Sequence, residues 1–445
     1  MKKSFKLLAY LGVCLPYMVG AQDSFSTIQD SVPTTKTEAK ITEDKPESKF
    51  SINYYGFIRN DIMFDTRQTV DVREGTVLMW PSDVSFDQNG KDINASSQFH
   101  MLSILSRAGI KFSMSNILNA RVDGLLEGDF FGNAEGGINE FRLRHAWITL
   151  NWKTTQLGVG QYWSPLTVPE MLPGAINCSG GAPYMPFNRN PQIKLTQKLT
   201  DRLSVIATAL SQRDFTSNTA PYINSSTPSA NLQLQYKTDK ILLGAAGHFE
   251  HIRPKLSSGT LNLASNQQLN SVTAMAYAKY TSKPVTVKAQ AVLAQNAGSF
   301  IMLGGYIGYT PNDGGVEVYK TMHTQSYWID IAGNGKTWIP GLFAGYSKNN
   351  GAKQNQYDAA GGYKAVAYGF PATVSGVGAG NGSRTINYIY RIAPRIDYQI
   401  KKLKFGFEAE YSFAQWGDGN FNGVATNNLN NIDNLRLLFA TTFSF

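Results

Sequence analysis

This 445-residue chain contains pairs of charged residues spaced two positions apart. Arg59 and Asp61 form one such pair, and Arg142 and Arg144 form another. Side chains of a β-strand alternate between its two faces, so residues i and i+2 share a face. Fixed charges on one strand face attract or repel passing ions, which is the chemistry of solute selection.

The same spacing places further charged residues on one face of their strands, opposite an apolar face. Contact of Arg or Lys with lipid costs about 2–4 kcal/mol at the bilayer midplane, which predicts that the charged faces point into a barrel interior. The predicted interior basic residues are Arg59, Arg121, Arg142, Arg144, Lys194, Lys288, Arg391 and Arg395. The predicted interior acidic residues are Asp61, Asp123, Glu127, Glu408 and Glu410. They either line a hydrated pore or form structural salt bridges of the wall.

The apolar faces are predicted to contact lipid, and the last strand shows this most clearly. Phe141, Leu143 and Trp147 are assigned to the lipid face of their strand by the same alternation. The apolar face of the last strand comprises Leu435, Leu437, Phe439, Thr441, Phe443 and Phe445. A terminal phenylalanine after such a strand is typical of bacterial outer-membrane β-barrels, in which the assembly machinery reads it. Phe445 is therefore the predicted assembly signal.

The amino terminus predicts export. Residues 1–21 combine lysines, a short apolar run and small residues before a cleavage point, which predicts a signal peptide. Residues 22–48 are polar and predict a disordered periplasmic tail, which leaves 49–445 as the barrel. A lipoprotein anchored through Cys14 is an alternative, but Val13 occupies a position where a small residue is preferred.

Composition narrows the class of protein. Loss of three signal-peptide lysines lowers the formal net charge from +9 to about +6. Cys178 would be the only remaining cysteine, which excludes an intramolecular disulfide. The predicted mature chain lacks a run of about 18 apolar residues, which excludes a helical membrane protein. A barrel needs no such run, because every second residue of a strand faces its interior.

The order of strands and links predicts the topology, an all-β transmembrane antiparallel barrel. Short and long links alternate, and the last long link is predicted at Gly417–Asn431. Tight periplasmic turns, long extracellular loops and periplasmic chain ends produce this alternation in bacterial barrels. The predicted strands, about sixteen, start near Phe50, Gln98, Leu118, Asn139, Gln156, Gln192, Leu203, Ala230, Lys240, Leu269, Pro284, Thr324, Trp338, Ile386, Leu403 and Ile432.

The long link that follows the fifth strand is the predicted constriction. It runs from Ser164 to Pro191 and contains six prolines, which stiffen a loop and prevent strand pairing. A rigid loop folded inward would narrow the pore, whereas the alternative is a loop that caps the outside. The residues assigned to this constriction loop are Ser164, Pro165, Glu170, Tyr184, Phe187 and Arg189.

Catalytic and metal-binding patterns are weak. His248 and His251 are the closest histidine pair, but their spacing puts them on opposite faces of a strand, so no metal site follows. Residues 333–337 resemble the end of a phosphate-binding loop, but Asp330 occupies the position of its first glycine and no helix follows. We therefore predict no enzyme activity, no metal and no cofactor.

Several segments resemble the trimeric sixteen-stranded outer-membrane porins, particularly the dicarboxylate-type (DcaP-like) porins and their Bacteroidetes relatives. The resemblance implies a homotrimer, a third loop that constricts each pore, and a basic inner wall that includes Arg59, Arg142, Arg144 and Arg395. The amino-terminal tail lacks the coiled-coil extension of some members. The segments are GFIRND (56–61), EGDFFG (127–132), RLRHAW (142–147), GQYWSP (160–165) and IAPR (392–395).

The sequence thus predicts a porin in the outer membrane of a Gram-negative bacterium that passes small hydrophilic solutes and favours anions such as small carboxylates. Its predicted partners are membrane lipid and lipopolysaccharide, the barrel-assembly machinery, small anionic solutes and two further copies of the chain, with no nucleic acid. The alternative is a surface adhesin or binding barrel with a closed pore. The chain is too short for the plug and about twenty-two strands of a TonB-dependent transporter.

Overall fold

The computed structural model describes residues 50–213, 220–369, 380 and 383–445. The contacts divide the chain into Met1–Glu47 and Ser48–Phe445, and the second unit contains all of these residues. The predicted signal peptide and periplasmic tail lie outside the described residues. None of the described helices is long and apolar enough to cross a membrane.

Sixteen strands of the described chain form the barrel. The second strand is interrupted at residues 103–106, so that two consecutive segments share its place beside the first strand. The strands are β1 (Phe50–Asp65), β2 (Gln98–Leu102 and Arg107–Ile117), β3 (Ala120–Asp129), β4 (Arg142–Asn151), β5 (Thr155–Trp163), β6 (Arg189–Lys198), β7 (Leu203–Leu210), β8 (Ser229–Lys237), β9 (Ile241–Ile252), β10 (Leu269–Thr281), β11 (Val285–Gln295), β12 (Val318–Gly333), β13 (Trp338–Ala352), β14 (Arg384–Ile400), β15 (Leu403–Gly419) and β16 (Ala425–Ser444).

The sheet closes on itself, because β1 pairs antiparallel with β16 as well as with β2. At the seam, Arg59 lies opposite Thr442. The backbone N–H of Phe445 donates to the carbonyl of Gly56 at 3.1 Å. A Cβ at Gly56 would lie 2.6 Å from the Phe445 ring, so the missing side chain makes room for the terminal aromatic residue. The predicted all-β barrel and its sixteen strands are confirmed.

Alternation of exposure along the strands follows the predicted pattern. In β16, Leu437 and Phe439 are 39% and 40% exposed, whereas Leu438 and Ala440 are 1% and 3% exposed. In β1, Ile58 is exposed while Asp61 is buried. Apolar side chains therefore cover the outside of the wall, and polar and small ones face inward.

The connections alternate as predicted, with one exception. Tight turns such as 118–119 and 401–402 lie at one end of the barrel, and long loops lie at the other. The predicted long link Gly417–Asn431 is wrong, because β15 runs to Gly419 and β16 starts at Ala425. The residues at the tip of this hairpin are polar, as loop residues often are, but their backbones stay paired as β-strands.

A β-bulge in β4 corrects one predicted orientation. Glu127 pairs with His145 and Gly128 with Leu143, so Arg144 is an extra residue on β4. Arg144 and His145 are both buried, and the alternation changes phase after them. Trp147 therefore points inward and is buried, whereas the sequence assigned it to lipid.

Three long loops fold into the barrel interior and build an apolar core there. The first loop (residues 66–97) carries a short hairpin of Thr69–Val72 and Val77–Pro81, whose second strand is fully buried. The third loop (residues 164–188) and a segment of the sixth loop (residues 296–304) are also buried. The core contains Trp80 from the first loop, Tyr184 from the third and Phe300 from the sixth.

Candidate solute pathway and its constriction

The third loop (residues 164–188) crosses the barrel interior. It leaves β5 after Trp163, and its residues Tyr184 and Met185 are completely buried. The Tyr184 ring lies 6.0 Å from the ring of Phe343 on β13, on the far side of the barrel from β5. The loop is therefore folded inward, and the alternative of a loop capping the outside is excluded.

Carboxylates of the opposite wall hold the tip of this loop. The Glu408 carboxylate accepts from the backbone N–H groups of Ile176 at 2.8 Å and Asn177 at 3.1 Å. The Asn177 side chain donates to Glu410 at 2.9 Å, and the N–H of Gly174 donates to Asp330 at 3.1 Å. The predicted acidic residues Glu408 and Glu410 are thus buried anchors of the loop.

Two predicted arginines act as anchors on the same wall. Arg391 is completely buried and donates to the carbonyls of Leu78 at 2.9 Å and Ala182 at 3.3 Å, which ties the first and third loops together. Arg395 is 7% exposed and pairs with Asp330 at 2.7 Å. The charges of both arginines are therefore engaged inside the packed interior.

A network of ionic groups covers the inner faces of β3 and β4. Arg142 pairs with Asp129 at 2.7 Å. Arg144 bridges Glu127 at 2.8 Å and Asp129 at 2.6 Å. Arg107, on β2, lies 3.7 Å from Glu127. Three guanidinium groups thus share two carboxylates.

Aromatic rings support further cations on the same side. The Arg107 guanidinium lies 5.0 Å from the centre of the Phe57 ring, and the Lys111 ammonium lies 4.7 Å from that of Tyr55. The Lys194 ammonium lies 5.4 Å from the ring of Tyr162. Ring faces attract cations without neutralising them.

We call these cations, with Arg59, Arg142 and Arg144, the basic wall. The sequence analysis missed Arg107 and Lys111. They lie four positions apart in β2 and so share a strand face, which could have assigned both to the interior. The members of the basic wall are Arg59, Arg107, Lys111, Arg142, Arg144 and Lys194.

The remaining predicted interior charges occupy different positions. Arg59 pairs with Asp61 at 2.7 Å and also donates to the third-loop carbonyl of Ile176. Arg121 is paired with Asp123 at 2.9 Å beside the tight turn at 118–119 and is largely exposed. Lys288 donates to the carbonyl of Leu172 at 2.6 Å, so it is a further anchor of the third loop.

The predicted constriction residues divide into a buried group and one rim residue. Ser164, Pro165, Tyr184 and Phe187 are buried. Glu170 is exposed and pairs with Lys237 at 2.7 Å. Arg189, the first residue of β6, is buried with its guanidinium 3.9 Å from the centre of the Trp163 ring. Burial raises the pKa of the Cys178 thiol on the same loop.

The described residues contain no group of three or more His, Cys, Asp or Glu side chains arranged to hold a metal ion. His248 is buried and faces inward, whereas His251 faces outward and contacts Asn270 at 2.6 Å. The opposite orientation of these two histidines is as the spacing predicts. The chemistry that this interior can perform is electrostatic contact with a solute, through fixed cations beside a constriction.

A closed barrel of sixteen antiparallel strands with an inward third loop defines the porin type of fold. No family model matches the chain, and no curated protein matches it. Among solved structures, the outer membrane channel DcaP of Acinetobacter baumannii is 16% identical with a TM-score of 0.63, over 89% of this chain and 97% of that chain.

Two further solved structures share the fold. The anion-selective porin from Comamonas acidovorans is 9% identical with a TM-score of 0.52, over 89% of this chain and all of that chain. OmpT of Vibrio cholerae, folded in vitro and in trimer form, is 9% identical with a TM-score of 0.50, over 89% and 99% of the two chains. The likeness to DcaP and to the other porins is one of fold, as the sequence resemblance predicted.

Proposed function

We propose that the protein is an outer-membrane channel for passive diffusion of small hydrophilic solutes and that it favours small anions such as carboxylates. It acts as a homotrimer in the outer membrane of a Gram-negative bacterium, surrounded by lipid and lipopolysaccharide, with both chain ends in the periplasm. The barrel-assembly machinery inserts it by reading Phe445. The shared fold of the channel DcaP and the porins supports this proposal.

The basic wall carries the proposed anion preference. Among the described ion pairs, its cations engage three carboxylates, those of Asp61, Glu127 and Asp129. The excess positive charge lies beside the third loop, where a solute must pass. Cationic side chains in a narrow passage favour anions, because the low-dielectric wall focuses their field on the solute.

The opposite wall contributes little to this preference. Arg391 and Arg395 are buried, and their charges are used to hold the first and third loops and Asp330. Glu408 and Glu410 hold the tip of the third loop.

The test is single-channel recording in a planar bilayer under a salt gradient. We expect the reversal potential of the natural protein to favour anions. Replacing Lys111 and Lys194 with Gln should move it toward cations, because neither ammonium holds a loop or a carboxylate among the described contacts. The matched control is Arg121→Gln, whose paired and exposed side chain lies near the tight turns.

An unchanged reversal potential in the double variant would show that the basic wall does not set selectivity. A surface adhesin or binding barrel with a closed pore is the second candidate, and the filling of the interior by three loops is the observation that favours it. Correctly folded trimers that never conduct would replace the channel proposal with this one.

A further inference from the structure

A row of polar side chains crosses the inner wall where no function has yet been assigned. Lys194 on β6 lies directly opposite Thr208 on β7, Thr208 opposite Asn231 on β8, and Asn231 opposite His248 on β9. Directly opposed residues on neighbouring strands point to the same side of a sheet. We call these four side chains the polar row. It begins at Lys194, which is also the last member of the basic wall.

Most of the polar row is buried with unused hydrogen-bonding capacity. The hydroxyl of Thr208, both amide atoms of Asn231 and both ring nitrogens of His248 make no hydrogen bond among the described residues, although His248 Nε2 lies 3.7 Å from the buried Glu250 carboxylate. His248 is only 2% exposed and Asn231 only 4%. Buried polar groups in proteins almost always contact another polar group or water. Several neighbouring exceptions therefore indicate a surface built for contacts that this conformation does not make.

An apolar segment of the sixth loop covers one end of the polar row. Phe300 packs edge-on against the His248 ring, with the ring centres 5.3 Å apart. Residues 297–303, which we call the cover segment, are almost completely buried. Phe300 accepts a hydrogen bond from the N–H of Phe187 at 3.0 Å, so the cover segment rests on the constriction loop.

The cover segment holds a strained backbone. Ile301 has a φ of 63°, in the left-handed region that β-branched residues avoid. Asn296, just before the segment, has a φ of 54°, which asparagine adopts readily. Strained residues between ordinary strands persist only where the surroundings force them, and they concentrate at clamps and switches. Displacement of the segment would uncover the His248 ring, on which Phe300 packs.

We propose that the cover segment is a gate, and that its displacement exposes the polar row as a contact surface for small carboxylates that also carry hydroxyl groups. Lys194 receives the carboxylate, and Thr208, Asn231 and His248 offer hydroxyl, amide and imidazole groups to the solute hydroxyls. This inference rests on the proposed function, because it names the solute class that the channel would pass.

The experiment measures thiol accessibility in vesicles containing the folded protein. Cys178→Ser removes the only cysteine of the described chain, and Asn231→Cys then places a thiol in the polar row. A small water-soluble methanethiosulfonate should modify this thiol slowly. Adding Phe300→Ala should raise the modification rate at least about tenfold. Loss of a buried ring favours the open state of a two-state equilibrium by more than that factor.

Two controls keep the result specific. Met79→Ala removes a completely buried side chain from the first loop and should leave the modification rate unchanged, which separates the gate from general loosening of the interior. Thr208→Cys repeats the measurement at a second position if Asn231→Cys does not fold. In the Phe300→Ala background, gluconate should slow the modification, whereas butyrate, which has no hydroxyl groups, should not.

Equal rates with and without Phe300→Ala would overturn the gate, and equal protection by gluconate and butyrate would overturn the solute class. Conductance measured on the same vesicles distinguishes these failures from failure of the proposed function. A conducting channel with an inaccessible thiol refutes the gate alone. An accessible thiol in a protein that never conducts refutes the channel alone.

Discussion

Asp129 shows what the interior charges do at the scale of single residues. Its carboxylate is completely buried and binds Arg142 and Arg144 at once. The sequence placed both arginines correctly on the inner face, because alternation in a strand fixes the side to which a residue points. It could not show that the two are paired rather than free, since their partners come from another strand.

Replacing Asp129 with Asn should lower the free energy of unfolding by about 3–5 kcal/mol, because two buried guanidinium groups lose their shared carboxylate. Urea-induced unfolding in lipid vesicles measures this loss. Arg121→Gln is the control, since its ion pair with Asp123 is exposed and should contribute less than about 1 kcal/mol. Equal effects of the two changes would contradict the structural role of the buried network.

Trp147 marks the limit of prediction from single residues. Strict alternation assigns it to lipid, but the bulge at Arg144 inserts one residue and reverses the faces that follow. Bulges depend on the pairing of two strands, so the sequence of one strand does not reveal them. The correction places Trp147 beside Lys194, with the ammonium 5.9 Å from the ring.

At the scale of elements, the third loop is fixed by hydrogen bonds to several strands, among them β11, β12, β14 and β15. Its proline content predicts a rigid loop. The further prediction, that this loop folds into the barrel, agrees with its burial in the structure. The first and sixth loops also fold inward, which the sequence analysis did not predict. Their apolar residues resemble short strand segments, and the partners that bury them lie far away in the chain.

Replacing Glu408 with Gln should loosen the third loop, because the carboxylate accepts from Ile176 and Asn177 and an amide would turn an N–H₂ toward one of these donors. Hydrogen bonds to charged groups contribute about 1.5–3 kcal/mol each, so the loop should leave its position far more often. We expect a larger and noisier single-channel conductance.

The matched control for this prediction lies on the same loop. Glu170→Gln removes a carboxylate from the exposed rim, where its pair with Lys237 contributes little to the position of the loop. Its conductance and current noise should match those of the natural protein. If Glu408→Gln behaves like Glu170→Gln, the tip of the loop is held by its apolar contacts and not by Glu408.

At the scale of the whole molecule, the wall is uneven in height and in surface chemistry. β7 has eight residues, whereas β16 has twenty. A strand of eight residues is about 26 Å long and, tilted by about 45°, spans about 19 Å, which is less than the apolar band of about 25 Å. Alternation was enough to predict sixteen strands. It was not enough to predict their unequal lengths, because pairing makes β12 and β16 start earlier in the chain than predicted.

The outer surface over β8–β11 has an unusual composition. A hollow of about 530 Å³ lies over β8–β11, with a floor of small residues that includes Ala245, Gly247, Ala274 and Ala276. The side formed by the long strands β12–β16, which we call the tall side, carries stacked aromatic rings, such as Tyr388 on Phe413 and Tyr390 on Phe413. Aromatic residues mark surfaces that contact lipid, and small residues permit close approach of another protein surface.

The proposed homotrimer therefore predicts contact through the hollow over β8–β11. A ring of three copies uses two different patches on each copy, so the hollow should receive exposed apolar side chains from another part of the neighbouring barrel. Ala276→Trp fills the hollow and should convert trimers to monomers in native gels and size-exclusion chromatography. Ala409→Trp, on the outer face of β15, adds the same ring to the tall aromatic side and should leave trimers intact. Heat-modifiable migration confirms that both barrels are folded, so trimers that survive Ala276→Trp would place the interface elsewhere on the wall.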